Sequence, residues 1–218
     1  MSLAADPEEL FTERHEAYDR FIRFVMYPRG LRAFFHRSPL LRPDLRILEA
    51  GCGTGALTLA LWDALAARGF SPAAFHAFDL TPAMLAHLRS SLDRRGITGV
   101  ELRQVNVLAL DALPAGWTGY DLLATASMLE YVPRERFVDA LRGLHARLRA
   151  GGTLVLFITR RNPLTRVLIG RWWASNLYRA DELAAAFAAA GFATVAFRRF
   201  PPSAAYLTTW GHVVEARA

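Results

Sequence analysis

Ile47-Leu48-Glu49-Ala50-Gly51-Cys52-Gly53-Thr54-Gly55-Ala56-Leu57 is the stretch whose reading decides the fold. An apolar strand runs into an acid and three alternating glycines, and a helix-forming run follows. Glycines there let the backbone turn tightly and approach a ligand at the strand's carboxyl end. The helix that opens next offers unpaired N–H groups and the positive end of its dipole to an anionic group. Gly51-x-Gly53-x-x-Ala56 also satisfies the relaxed dinucleotide-binding fingerprint, so the loop alone leaves its ligand class open.

Outward from this loop, apolar runs of four to eight residues alternate with longer amphipathic segments. The candidate strands are 46–50, 74–79, 100–106, 120–126 and 153–159, and the candidate helices are 55–68, 82–95, 134–149 and 180–190. Strand and helix in alternation, with strands apolar throughout, predict a parallel sheet covered on both faces. The tail breaks the alternation. Strand-like runs at 192–200 and 206–217 are joined only by Pro201-Pro202-Ser203-Ala204-Ala205, too short for a crossover helix, so they are expected to pair antiparallel.

Ahead of the loop, residues 1–45 read as a helical cap. Asp6-Pro7-Glu8-Glu9 is a helix-start signal, and Phe21, Phe24 and Val25, then Leu31, Phe34 and Phe35, recur at helical spacing. Pro28-Arg29-Gly30 is read as a break, giving one or two helices, and Ser38-Pro39 as a stop. The rest, 46–218, is read as one domain.

Composition excludes several chemistries. The 218 residues carry 26 basic side chains, all arginine, against 20 acidic ones; with no lysine there is no Schiff-base or P-loop mechanism. One cysteine permits no disulfide framework and points to a reducing, cytoplasmic setting. A net charge of +6 would by itself suggest nucleic acid or an anionic membrane as a partner. Alanine is as inflated as lysine is absent, so compositional bias accounts for most of that charge. No basic-then-apolar targeting pattern opens the chain, and apolar runs such as 152–159 fall short of the roughly 20 residues that span a bilayer. The six histidines are scattered, with none at metal-ligand spacing from another ligand, so no metal is expected.

Two further features sharpen the loop. Asp79 ends the second strand in His76-Ala77-Phe78-Asp79-Leu80-Thr81-Pro82, about 20–25 residues past the glycines, where an acid accepts ribose hydroxyls. Thr81, just before Pro82, is the better candidate to cap the next helix. The fourth strand ends in Ala124-Thr125-Ala126-Ser127-Met128-Leu129-Glu130-Tyr131-Val132-Pro133.

From about Arg46 to the C-terminus the chain resembles the class I S-adenosylmethionine-dependent methyltransferases. Glu49-x-Gly51-x-Gly53-x-Gly55 is similar to that family's first motif, Asp79 to its ribose-binding acid, and Tyr120-Asp121-Leu122-Leu123 through Tyr131 to its fourth-strand motif. Leu148-Arg149-Ala150-Gly151-Gly152-Thr153-Leu154 is similar to the family's turn into the fifth strand. The resemblance implies a doubly wound α/β fold, with a seven-stranded sheet in the order 3-2-1-4-5-7-6 whose last strand is antiparallel.

It also implies a role for each matching residue. Gly51 and Gly53 would pack on the methionine part of S-adenosylmethionine, with Cys52, a small filler, and Gly55 in the same cofactor-binding loop, and Glu49 would order its ammonium group directly or through water. Asp79 would hold the ribose, Leu80 and Met84 would sandwich the adenine, and Asn106 with Val107 would meet its amino edge. Asn106 stands where the family normally has an acid; its amide oxygen can accept the same hydrogen bond. Ser127 would offer a backbone contact to the methionine end. S-adenosylhomocysteine would be the product.

The acceptor side is less defined. Glu130 and Tyr131 are the catalytic candidates, with Glu130 read as a base or, equally, as a helix-entrance carboxylate. The segment 160–178 is long for a connection that usually takes two to six residues and is read as a lid-like insertion. Its Arg160, Trp172 and Trp173, with Tyr18, Arg23 and Tyr27 from the cap, are the substrate-pocket candidates. Arginine beside tryptophan and leucine suggests an apolar acceptor carrying a carboxylate or phosphate. The same pattern also fits a peripheral membrane contact. Asn162-Pro163-Leu164-Thr165 is read as a turn.

The expectation is methyl transfer to an O or N atom of a small molecule or lipid, by a monomer or homodimer. The alternatives are an RNA-directed methyltransferase, disfavoured because no basic stripe interleaved with aromatics is present, and an NAD(P)-dependent oxidoreductase using the same loop.

Overall fold

In a computed structural model, which describes residues 26–163, 165 and 175–218, the alternation beginning at Arg46 closes into one seven-stranded sheet. In chain order the elements are α1 (Tyr27–Arg37), β1 (Arg46–Ala50), α2 (Ala56–Ala66), β2 (Ala74–Asp79), α3 (Pro82–Arg94) and β3 (Val100–Gln104). They continue with β4 (Tyr120–Ala126), α4 (Phe137–His145), β5 (Leu148–Thr159), α5 (Ala180–Ala189), β6 (Thr194–Arg198), α6 (Leu207–Trp210) and β7 (Gly211–Arg217). The sheet order is β3-β2-β1-β4-β5-β7-β6, with β7 antiparallel to both β5 and β6 and the other pairs parallel. Inserting β7 between β5 and β6 departs from the 3-2-1-4-5-6 order of dinucleotide-binding sheets. That is the order expected of the methyltransferase fold.

Each sheet face carries its own core. Ile47, Phe75, Leu122, Val155 and Phe157 point to the face covered by α1 and α2, and Leu48, Leu123, Leu154 and Leu156 to the face under α4 and α5. Alternate residues along one strand thus enter opposite cores, which is why the central strands are apolar throughout. The two edge strands differ from the sequence expectation. β3 and β6 keep several residues exposed, because an edge has a neighbour on one side only.

Four local readings are corrected. Pro28-Arg29-Gly30 is no break: Pro28 occupies the first turn of α1, where its missing N–H costs nothing, and the helix continues through Gly30. Gly30 is buried, and a Cβ there would lie 2.0 Å from Leu207 Cδ1. The helix α4 stops at His145 and β5 begins at Leu148, earlier than read, with Gly152 held so close to the Tyr120 carbonyl that a Cβ would lie 2.7 Å away. β3 ends at Gln104, before Asn106. The joint before β7 contains a 3₁₀ turn at Pro202–Ala204 and the short α6.

Candidate functional site

The loop between β1 and α2 is built around three left-handed glycines, Gly51 (φ 70°), Gly53 (φ 51°) and Gly55 (φ 97°). Gly51 and Cys52 donate their N–H groups to the Phe78 carbonyl at 2.8 and 3.1 Å, tying the loop to the end of β2. The glycines do different work. A Cβ on Gly51 would meet Met128 Cγ at 2.3 Å and one on Gly55 would meet Leu88 Cδ1 at 2.4 Å, whereas one on Gly53 would meet nothing within 4 Å. Two glycines therefore serve packing, and the third borders open space where a ligand can approach the backbone.

Glu49, the last acid before the glycines, is fully buried. Its Oε2 accepts the Thr58 hydroxyl hydrogen at 2.7 Å, while Oε1, also buried, has no hydrogen-bond partner. Burial pushes the carboxyl up to about 8, assisted by the charge of Asp79 and opposed by the Thr58 hydrogen bonds. An unsatisfied buried acceptor of this kind is costly and favours the arrival of a cationic donor. Thr58 lies on the first turn of α2, and the sequence reading missed it; a hydroxyl one turn into a helix facing a strand-end acid was the available signal.

Asp79 does two jobs at the end of β2. Its Oδ2 accepts the Gly53 N–H at 2.8 Å and its Oδ1 the Thr81 N–H at 2.9 Å, so it shapes the glycine loop and starts α3. Burial raises its pKa against these hydrogen bonds. Thr81 occupies the N-cap position of α3, but its side chain makes no cap bond; Asp79 serves its N–H instead, which corrects the expected capping role. Each Asp79 oxygen retains a second lone pair for a further donor.

The remaining cofactor-side candidates line the carboxyl ends of the strands. Leu80 is half-buried and Met84 buried on α3. Asn106 is exposed just past β3, its Oδ1 accepting the Leu108 N–H at 2.9 Å, and Val107 is buried beside it. Ser127 ends β4 in a left-handed conformation (φ 52°), rare for a side chain of this kind, with its N–H on the Phe157 carbonyl at 3.0 Å. Its hydroxyl lies 3.4 Å from that of Tyr27, which brings the start of α1 to the end of β4. Cys52 is buried with Leu88 and Ile97, and burial raises its thiol pKa, with Glu49 and Asp79 acting in the same direction; it stays a neutral filler.

On the acceptor side, Glu130 does not face open space. It is 3% exposed, and Thr159 donates to both oxygens, through its N–H to Oε2 and its hydroxyl to Oε1, each at 2.9 Å. Burial nevertheless lifts its carboxyl to about 7. Tyr131 is half-buried in the same 3₁₀ turn, Leu129–Tyr131. Arg160 is exposed where the chain leaves β5. Asn162 and Thr165 form a reciprocal pair: Asn162 Oδ1 accepts the Thr165 N–H at 2.9 Å, and Thr165 Oγ1 accepts the Asn162 N–H at 3.0 Å. Pro163 and Thr165 have helical backbone where a turn was read, and Leu164 lies outside the described residues. Tyr18, Arg23, Trp172 and Trp173 lie outside the described residues, as does most of the insertion read as a lid or membrane contact.

Among the described residues, no group of three or more His, Cys, Asp or Glu is placed to hold a metal, and no helix is long and apolar enough to cross a membrane. His76 instead contacts the Tyr120 hydroxyl at 2.6 Å and stacks on Trp117.

The donor set fits S-adenosylmethionine. Glu49 Oε1 is an unpaired acceptor suited to an ammonium, Gly53 borders open space at the same strand end, and Asp79, which holds the Gly53 N–H, keeps acceptor capacity for hydroxyls.

Comparison with known proteins agrees with this assignment. Residues 47–152 match the family model described as a methyltransferase domain. Over 155 residues the chain is 31% identical to highly reducing polyketide synthase 40 of Fusarium pseudograminearum (strain CS3096), an alignment covering 66% of this chain and 6% of that protein. The chain therefore spans only a small part of that relative's length. The fold superposes on the mitomycin 7-O-methyltransferase MmcR with a TM-score of 0.71 and 16% identity, over 96% of this chain and 59% of that one. On the citrinin polyketide synthase CMeT domain the TM-score is 0.61 at 20% identity, over 79% of this chain and 46% of that one. These two likenesses concern the fold.

Proposed function

Because the chain belongs to the class I S-adenosylmethionine-dependent methyltransferases, we propose that it methylates an O or N atom of a small, largely apolar molecule carrying an anionic group. Such an acceptor would be a metabolite, natural product or lipid. The observation that carries the cofactor side of this reading is the buried, unpartnered Oε1 of Glu49 at the start of a loop whose Gly53 borders open space.

When bound, S-adenosylmethionine supplies a methyl group on a positively charged sulfur. Glu49 would hold the ammonium group, Asp79 the ribose hydroxyls, Leu80 and Met84 the adenine faces, Asn106 and Val107 its edge, and Ser127 the methionine end. Tyr27 and Arg160 would contact the acceptor, with Arg160 meeting its carboxylate or phosphate, and Tyr131 would border the transfer path. Alignment of acceptor and methyl in a site that excludes water supplies the rate, since well-oriented reactants reach effective molarities of about 10⁵–10⁸ M.

A second reading is methyl transfer to carbon. It is supported by the polyketide synthase relative and by the fold shared with the CMeT domain. An acceptor carbon that arrives as an enolate needs no general base, whereas a neutral hydroxyl is helped by one.

Calorimetric titration with S-adenosylhomocysteine tests the cofactor assignment. Saturable binding is expected, with protons released near pH 7.5 as Glu49 ionises against the incoming ammonium. Glu49→Gln should abolish that release and weaken binding by about tenfold or more. Binding of NAD with no binding of S-adenosylhomocysteine would overturn the proposal.

A further inference from the structure

The fastening of Glu130 has a geometry that catalysis by proton transfer does not require. In the sheet, β4 and β5 stay in register up to Ala126 and Phe157, and the Ser127 N–H makes one more bond to the Phe157 carbonyl. There Ser127 turns left-handed and the two strand ends lose their ladder. The Glu130 carboxylate bridges that gap by accepting both donors of Thr159, the last residue of β5. Its own backbone carbonyl accepts the Asn176 N–H at 2.8 Å, and Asn176 Nδ2 donates to the Val132 carbonyl at 2.9 Å. The chain returning at Tyr178 is held in turn by the Arg161 N–H on the Tyr178 carbonyl at 2.8 Å.

The same turn reaches the other way. Met128, two residues before Glu130, closes on Gly51 so tightly that no Cβ fits there. One short segment thus touches the glycine loop through Met128 and the end of β5 through Glu130. Packed side chains and hydrogen bonds in contiguous series are the physical means by which two sites become coupled.

We infer that Glu130 is a positioning residue that holds the end of β5, from which Arg160 departs, in fixed register with the turn packed on the cofactor loop. This rests on the methyltransferase reading, in which the glycine loop borders the cofactor and Arg160 the acceptor. Replacing the carboxylate by an amide preserves the bridge, since Gln can accept from the Thr159 N–H and donate to its hydroxyl oxygen. Replacing it by Ala removes both bonds and leaves the two donors of the half-buried Thr159 without that partner.

Hydrogen exchange on the full chain, with and without S-adenosylhomocysteine, tests this. In the wild type the ligand should slow exchange at 51–55 and also at 159–161 and 176–178. In Glu130→Ala the ligand should still protect 51–55, while protection at 159–161 and 176–178 falls about tenfold. Glu130→Gln should restore it to within about twofold of wild type, and Thr159→Val, which keeps the backbone bond, should lose about threefold. Should Glu130→Ala fail to fold, the Gln and Val variants decide by the same readout. Undiminished ligand protection at 159–161 in Glu130→Ala or Thr159→Val overturns the inference. Absence of ligand binding to the wild type would overturn the methyltransferase reading itself.

Discussion

The two oxygens of Glu49 differ: Oε2 accepts a 2.7 Å hydrogen bond from the Thr58 hydroxyl, and Oε1, equally buried, accepts none. The carboxyl is consequently raised from 4.5 to about 8, chiefly by desolvation. In the ligand-free protein it is largely neutral at physiological pH, ready to ionise when a cation arrives.

This carries a stability signature. The folded state keeps the Glu49 proton up to about pH 8, while the unfolded chain releases it near 4.5. Between those values the unfolded state binds fewer protons, so stability falls as pH rises. Below 4.5 both states are protonated and the effect vanishes. Glu130, raised to about 7, adds a contribution of the same sign over a narrower window. Ligand-free Glu49→Gln should therefore gain on the wild type as pH rises from 5 to 8, by on the order of 3 kcal/mol. Thermal melts across that range check it; a difference that stays flat with pH would contradict a neutral, buried Glu49.

The glycines of the loop should separate under mutation. Gly51→Ala forces a Cβ to 2.3 Å from Met128 Cγ at a φ of 70° and should destabilise the fold by about 2–4 kcal/mol. Gly53→Ala meets no neighbour and pays only for its left-handed backbone, about 1–2 kcal/mol. Its Cβ instead enters the space assigned to the cofactor. The expected pattern is a depressed melting temperature for Gly51→Ala, and for Gly53→Ala a nearly intact fold that binds S-adenosylhomocysteine at least about tenfold more weakly. Equal melting losses with equal affinities would refute the division of roles.

Gly30 offers a double-mutant cycle. Alanine is intrinsically better than glycine inside a helix by about 1 kcal/mol, yet at Gly30 its Cβ would lie 2.0 Å from Leu207 Cδ1. Gly30→Ala should cost about 1–3 kcal/mol in the native background. In a Leu207→Ala background the same change should become neutral or stabilising. Denaturant unfolding of the four proteins measures the coupling, and additive effects would show that Leu207 is not what requires a bare backbone in α1.

The limits of β1, β2 and β4 were readable because a parallel strand buried on both faces is a continuous apolar run, and the glycine loop because its backbone needs are written in residue type. Asp79 was readable from its spacing after that loop. The break assigned at Pro28 to Gly30 was wrong for a reason the sequence could not display: Leu207, far along the chain, is what a glycine inside α1 accommodates. The same holds for Glu130, whose residue type suits a base as well as a fastening. Only its burial against Thr159, 29 residues away, gives it the second character.

The sequence by itself thus determined the alternation of strands and helices, the glycine loop with its two acids, and the absence of lysine chemistry, since each is a matter of local period or residue type. The tertiary structure alone decided which oxygen of Glu49 is unpaired, which glycine faces open space, and where the carboxylate of Glu130 is spent. These depend on contacts between residues distant along the chain, and no local pattern encodes which side chains meet once the sheet has closed.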